Sequence, residues 1–242
     1  MEFMTEDRQG PVSVITWNHG AQNQFHTPFL EEFLGLLDAA AKDKTVTAVV
    51  VTGAQEKFFS TGLFLEWMMA EGAKDINVTR GFLRMLNKSM LDVTSYTKPI
   101  IAAINGHTVG MGCILSGCMD FRIMREDYGF VRLPEVQINI PFWPGMNDIL
   151  VEVMGESNFR KMAYTGEKFG PQDAKKLGFI DKVVPREDLV STAVEMAQTL
   201  GQSEASTYGI IKNVLRRHVL KVMREEDPIA IGKMLAEMEK NR

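Results

Sequence analysis

Two β-branched runs constrain this chain more than anything else in it. Residues 46–52 (VTAVVVT) stop at Gly53, and residues 99–104 (PIIAAI) stop at Asn105-Gly106. Both are apolar enough to be buried on two faces, as strands of parallel sheets are. The stretch between them has helical spacing, and parallel neighbours need such a crossover. An α/β fold with at least one mainly parallel sheet is therefore expected. Val12–Trp17 (VSVITW), bounded by Gly10-Pro11 and Asn18-His19-Gly20, reads as an outer strand. Beyond it Phe29, Leu30, Phe33, Leu36, Leu37 and Ala40 recur at helical spacing, with Thr27 placed to cap and Glu31 and Glu32 expected in the first turn.

From about residue 146 the β signal fades. Residues 171–177 read as a helix closed by Gly178, and 180–184 as a short strand broken by Pro185. Asp227 is expected as an N-cap, Pro228 as the first helical residue, and Ile229, Ile231, Met234, Leu235 and Met238 as the apolar stripe that follows. The expected division is a core over 1–186 and a helical region over 187–242. That helical region must pack on its own core or on a neighbouring subunit.

Charge and cysteine content remove several function classes. Twenty-seven basic and thirty-one acidic residues leave a net charge of −4, with no long block of one sign. No nucleic-acid or membrane partner is expected, and a small ligand is. Cys113 and Cys118, five residues apart, would point about 140° apart on a helix, which disfavours pairing. The four histidines (His19, His26, His107, His218) show no metal-ligand spacing. The acidic N-terminus lacks a secretory pattern, Lys240-Asn241-Arg242 is not an SKL-type address, and no apolar run is long enough to span a membrane, so a cytoplasmic location is expected.

Three segments hold candidate chemistry. FFSTGLFLEW carries Gly62 ahead of a helical pattern, and NGHTVGMGCILSGCMDF carries Gly106, Gly110 and Gly112 ahead of another. Each is either an ordinary turn or a site where free backbone N–H groups at a helix start grip an oxyanion. In VRLPEVQINIPFWPG, Glu135 stands among Leu133, Val136, Ile138, Ile140, Phe142 and Trp143. Burial there would raise its pKa toward that of a general base, whereas pairing with Arg132 or Arg122, or a surface turn, would make it an ordinary acid.

Together with KPIIAAINGHTVGMGC and YTGEKFGPQDAKKLGFIDKVV, these segments resemble the crotonase superfamily, the enoyl-CoA hydratases and isomerases, from about Val12 to Val184. The resemblance implies a spiral of ββα repeats with a C-terminal helical region, an acyl-CoA thioester as substrate, no cofactor apart from the coenzyme A of that substrate, and a homotrimer or homohexamer. Carried over by position, it puts the backbone N–H groups of Thr61 and Met111 in an oxyanion hole. Two such amides supply ~3–4 kcal/mol each when water is excluded. Ser60, Gly62, Leu63, Gly110 and Gly112 would bind substrate. Lys57 would meet the CoA phosphates or else stay solvated.

Two departures bear on the reaction. Hydratases of the family carry two glutamates; here the first position is Ile114, which neither accepts a proton nor orients water, and the second is Glu135. The single-acid pattern, with PFW six residues beyond Glu135, resembles the Δ3,Δ2-enoyl-CoA isomerases and implies a shift of the double bond from position 3 to position 2. Alternatives are a hydratase, another crotonase reaction such as thioester hydrolysis or decarboxylation, or a non-catalytic CoA-binding protein. Phe64 stands where the family commonly has an aspartate. Phe64, Trp67, Met68, Met69, Met85, Met90 and Trp143 are expected either to line an acyl channel or to be plain core.

Overall fold

The computed structural model describes residues 2–240, so the C-terminal pair Asn241-Arg242 lies outside it. In chain order the elements are β1 (Met4–Gln9), β2 (Val12–Trp17), β3 (Gln24–Phe25), α1 (Thr27–Lys42), β4 (Ala48–Gly53), β5 (Phe58–Ser60), β6 (Gly62–Leu63), α2 (Leu65–Lys74) and α3 (Ile76–Thr94). There follow β7 (Ile100–Ile104), β8 (His107–Val109), α4 (Met111–Cys118), β9 (Phe121–Arg125), β10 (Val131–Arg132), α5 (Glu135–Ile138), α6 (Pro144–Met154), α7 (Glu156–Thr165), α8 (Pro171–Lys176) and β11 (Lys182–Val184). The tail is helical: α9 (Leu189–Leu200), α10 (Ala205–Leu215), α11 (Arg217–Glu225) and α12 (Asp227–Lys240).

A six-stranded sheet runs β1-β2-β4-β7-β9-β11, parallel throughout except for the β1–β2 hairpin. The two β-branched runs form its centre, and β4 and β7 are buried on both faces. One face carries the main core, and the other is closed by α9 through Leu189, Ala193, Val194 and Ala197 against Val14, Val50, Ile101 and Ala103. A second, three-stranded parallel sheet, β10-β8-β5, and the short parallel pair β3–β6 hold the glycine loops. Trp17, fully buried, has the rings of Phe25, Phe29, Phe33 and Phe59 around it at 4.9–5.6 Å. This aromatic cluster joins the large sheet to β3 and β5, next to the loops.

Three local expectations are corrected. Val12–Trp17 is not the outer strand, because residues 4–9 fold back on it in register Met4↔Trp17 to Gln9↔Val12. The sequence of β1 is mostly charged or polar, which suits a sheet edge but hides the strand. Thr27 does not cap α1: the N-cap is His26, with no side-chain bond. Glu31 and Glu32 both lie past the first turn, and Glu32 accepts the N–H groups of Glu2 and Phe3 instead. Finally, Asp227 reaches across to α6 and accepts the Gly145 N–H at 2.7 Å, supporting the start of a different helix. Burial raises the Asp227 pKa to about 6.

The tail packs on the core through Val219, Met223, Ile231 and Leu235, whereas Ile210, Ile211, Val214 and Leu215 of α10 are exposed. Cys113 and Cys118 are buried and unbridged on α4. Among the described residues no helix is long and apolar enough to cross a membrane, and no cluster of three metal-ligating side chains occurs.

Candidate active site

The two glycine loops meet. Gly62 has φ +82°, and a Cβ built on it would lie 2.7 Å from the Met111 nitrogen and 3.1 Å from that of Gly112. Any side chain there would separate the loops, so this contact requires glycine. Gly112 in turn abuts the Ser60 carbonyl, 2.6 Å from where its Cβ would be. Gly110, at φ +55°, lies between the third segment and the first: its Cβ position is 3.1 Å from Glu135 Oε1 and 3.9 Å from the Thr61 carbonyl. Three segments far apart in sequence thus converge on the first turn of α4.

Glu135 opens the short helix α5 immediately after Pro134 and is 7% exposed. Its Oε2 is buried with no hydrogen-bond partner. Neither Arg132 nor Arg122 pairs with it. Arg132 donates to the Gly166 carbonyl at 2.8 Å and to Gln137, and Arg122 to Asp181 and the Phe179 carbonyl. Burial raises the Glu135 pKa from 4.5 to about 7, opposed by a hydrogen bond from its own backbone and by the charge of Arg132. A carboxyl group poised near neutrality can both take and return a proton.

The amides are distributed differently from the expectation. The Thr61 N–H donates to the Gln22 carbonyl at 3.1 Å, and its hydroxyl donates to Gln22 Oε1 at 3.0 Å. Its amide is therefore committed within the fold, and Thr61 is withdrawn as an oxyanion donor. Gly62 N–H is likewise taken, by Ser60 Oγ at 3.0 Å. In the parallel pair β3–β6, Phe25 faces Leu63 and its carbonyl accepts the Phe64 N–H at 2.9 Å. Backbone groups alternate in direction along a strand, so the Leu63 N–H is turned away from β3. On the other loop, the first amide of α4 to find a helical carbonyl is Ile114, bonded to Gly110 at 3.1 Å. The Met111 amide precedes that ladder and stands at the positive end of the helix macrodipole.

The remaining candidates separate into near and far. Ser60 is fully buried and lies inside the loop junction. Lys57 is exposed; its carbonyl accepts the His107 N–H, and with Lys168 its charge lowers the His107 pKa, after the larger effect of burial. Ile114 is buried in the main core at 2% exposure. Of the suggested channel residues, Met90 and Trp143 are core, and Met69 is 71% exposed. Phe64 precedes α2 without capping it, and its ring meets the stacked imidazoles of His19 and His26 edge-on, at 6.0 and 6.2 Å. The Leu63 amide and the buried Asn23 behind it escape a reading by residue type, because backbone direction is not encoded in side-chain identity. The turn-prone run from Asn18 to Asn23 was the available signal.

Residues 7–239 match the family model described as enoyl-CoA hydratase/isomerase. Similar proteins include enoyl-CoA delta isomerase 3 of Arabidopsis thaliana, 27% identical over 84% of each chain. Another is 2,3-dehydroadipyl-CoA hydratase of Escherichia coli K12, 30% identical over 90% of this chain and 83% of that one. A probable enoyl-CoA hydratase from Mycobacterium tuberculosis H37Rv has the same fold, with TM-score 0.89, 24% identity and all of both chains covered. The convergence of the two glycine loops on one buried glutamate therefore sits in a member of the enoyl-CoA hydratase/isomerase, or crotonase, family of enzymes.

Proposed function

We propose that this enzyme moves the double bond of an enoyl-CoA from position 3 to position 2, with Glu135 as the only proton carrier. The observation that carries the reading is the buried carboxyl group of Glu135, without a cation and with Oε2 unpartnered, beside Gly110 at the loop junction. Ionised Glu135 takes a proton from C2 of the substrate, and the electron pair spreads over C2, C4 and the thioester oxygen. The Leu63 and Met111 amides hold the negative charge on that oxygen. Glu135 then returns the same proton to C4, leaving a double bond conjugated with the carbonyl. Atoms and charge balance without a second acid, an added water or any cofactor beyond the CoA of the substrate.

Ile114 supports this reading over hydration, since a buried aliphatic side chain cannot orient a water molecule. Ser60, Gly62, Gly110 and Gly112 build the loop junction against which the thioester lies, and Lys57 offers a cation to the CoA phosphates. The exposed Ile210, Ile211, Val214 and Leu215 suit burial between copies of the chain, as a homotrimer or homohexamer would provide. The test is to supply trans-3-enoyl-CoA and follow the conjugated 2-enoyl product. Hydration of 2-enoyl-CoA with no isomerisation overturns the proposal.

A further inference from the structure

The segment before α1 binds the first glycine loop almost residue by residue. Gln22 accepts the Thr61 amide, and Phe25 accepts that of Phe64, at 3.1 and 2.9 Å. At the centre is Asn23, fully buried and at φ +47°, a left-handed conformation that asparagine tolerates better than most residues. Its Oδ1 accepts the His19 N–H at 2.8 Å and its Nδ2 donates to the Phe59 carbonyl at 3.1 Å. Its carbonyl accepts the Ser60 hydroxyl at 2.8 Å, and that hydroxyl accepts the Gly62 N–H at 3.0 Å. The His19 N–H, the Phe59 carbonyl, the Ser60 hydroxyl and the Gly62 N–H are thus tied together through one side chain and one peptide carbonyl. The Leu63 amide is left pointing out of this framework.

From this arrangement we infer that Asn23 is a positioning residue for the reaction: it acts through Phe59 and Ser60 to aim the Leu63 N–H at the thioester oxygen. The inference rests on the isomerase reading above. A buried side-chain amide bonded at both ends stiffens the loop it touches. An oxyanion donor needs that stiffness, because its contribution falls steeply when it is misplaced by a fraction of an ångström.

The test compares native enzyme with Asn23→Gly, which keeps the left-handed backbone and removes both side-chain bonds. Infrared difference spectra of bound hexanoyl-CoA, labelled with carbon-13 at the carbonyl, report how strongly that oxygen is polarised. Turnover of trans-3-enoyl-CoA is measured in parallel. The native enzyme is expected to lower the carbonyl stretch relative to free ligand. Asn23→Gly is expected to lose most of that shift, with kcat down about 100-fold and KM within about threefold. An unchanged carbonyl frequency in the variant overturns the inference even if its thermal stability falls, because Asn23 is then only structural. If Asn23→Gly does not fold, Ser60→Ala, which cuts the same relay one residue on, is read by the same criteria. Absence of both carbonyl shift and turnover in the native enzyme marks failure of the isomerase reading itself.

Discussion

The two ends of α4 are treated in opposite ways. At its carboxyl end every strong charge is answered. Arg216 donates to the Cys118 and Met119 carbonyls at 2.8 and 3.1 Å, and Asp120, just beyond, meets Lys212 Nζ at 2.8 Å and accepts the Ile100 N–H at 2.9 Å. Glu152 completes the set, 3.0 Å from Arg216. At its amino end the Met111 amide has no helical partner and the carboxyl group of Glu135 has no cation. Both ends hold a buried acid, but only one acid is neutralised by pairing. Buried charge that is fully paired docks α10 and α11 on the core, whereas a buried acid without a cation stores the tendency to exchange a proton.

Removing the acid at the amino end gives the largest expected effect. Glu135→Gln is expected to lower turnover of 3-enoyl-CoA about 10⁴-fold, about 5.5 kcal/mol, with acyl-CoA binding retained, as steady-state kinetics and a binding titration would show. Removing the acid at the carboxyl end should act on stability instead. Asp120→Ala strands Lys212 and Arg216 and is expected to cost about 3–5 kcal/mol in urea unfolding.

The contrast sharpens if Glu135→Gln also stabilises the fold. The Glu135 pKa rises from 4.5 to about 7 on folding, so the ionised form is the disfavoured one in the native state. The native chain therefore loses stability as pH rises from about 4.5 to about 7, and stays at the lower level above that. Glutamine escapes this loss, and a gain of up to about 3 kcal/mol is expected at pH 8, fading toward pH 4 in paired denaturation curves. The same ionisation should appear in catalysis. With the carboxylate as base, kcat/KM is expected to rise with pH to a plateau with its midpoint near 7, so that pH 6 lies about tenfold below the plateau. The smallest effect is at Ile114. Ile114→Val should cost about 1 kcal/mol of stability by thermal unfolding and leave isomerisation within about threefold, since a core side chain is trimmed and no chemistry is lost.

The central strands and the glycine loops were legible because their residue types are demanded by burial and by backbone geometry. Val46 to Thr52 and Pro99 to Ile104 admit few alternatives to a two-sided strand, and Gly62 and Gly110 occupy positive φ. Glu135 stood out as an acid in apolar company. Thr61 misled because a position next to the right glycine says nothing about which amide is already bonded. Strand β1 was hidden by its own charges, and the partner of Asp227 lies 82 positions away at Gly145. The Thr61 and Asp227 misses each involve a hydrogen bond between segments distant in sequence, which composition and periodicity do not encode, whereas β1 pairs with the strand that follows it and is masked by residue type alone.

By itself the sequence determined the α/β layout, the family resemblance, the acid and the two loops, because side-chain size, β-branching and the absence of a Cβ act locally. Only the tertiary structure decided that Thr61 is spent on Gln22, that the Leu63 amide turns away from β3, and that Glu135 keeps no cation. Backbone direction and the partners of a buried charge are set where distant segments meet, so they appear only once the chain is folded.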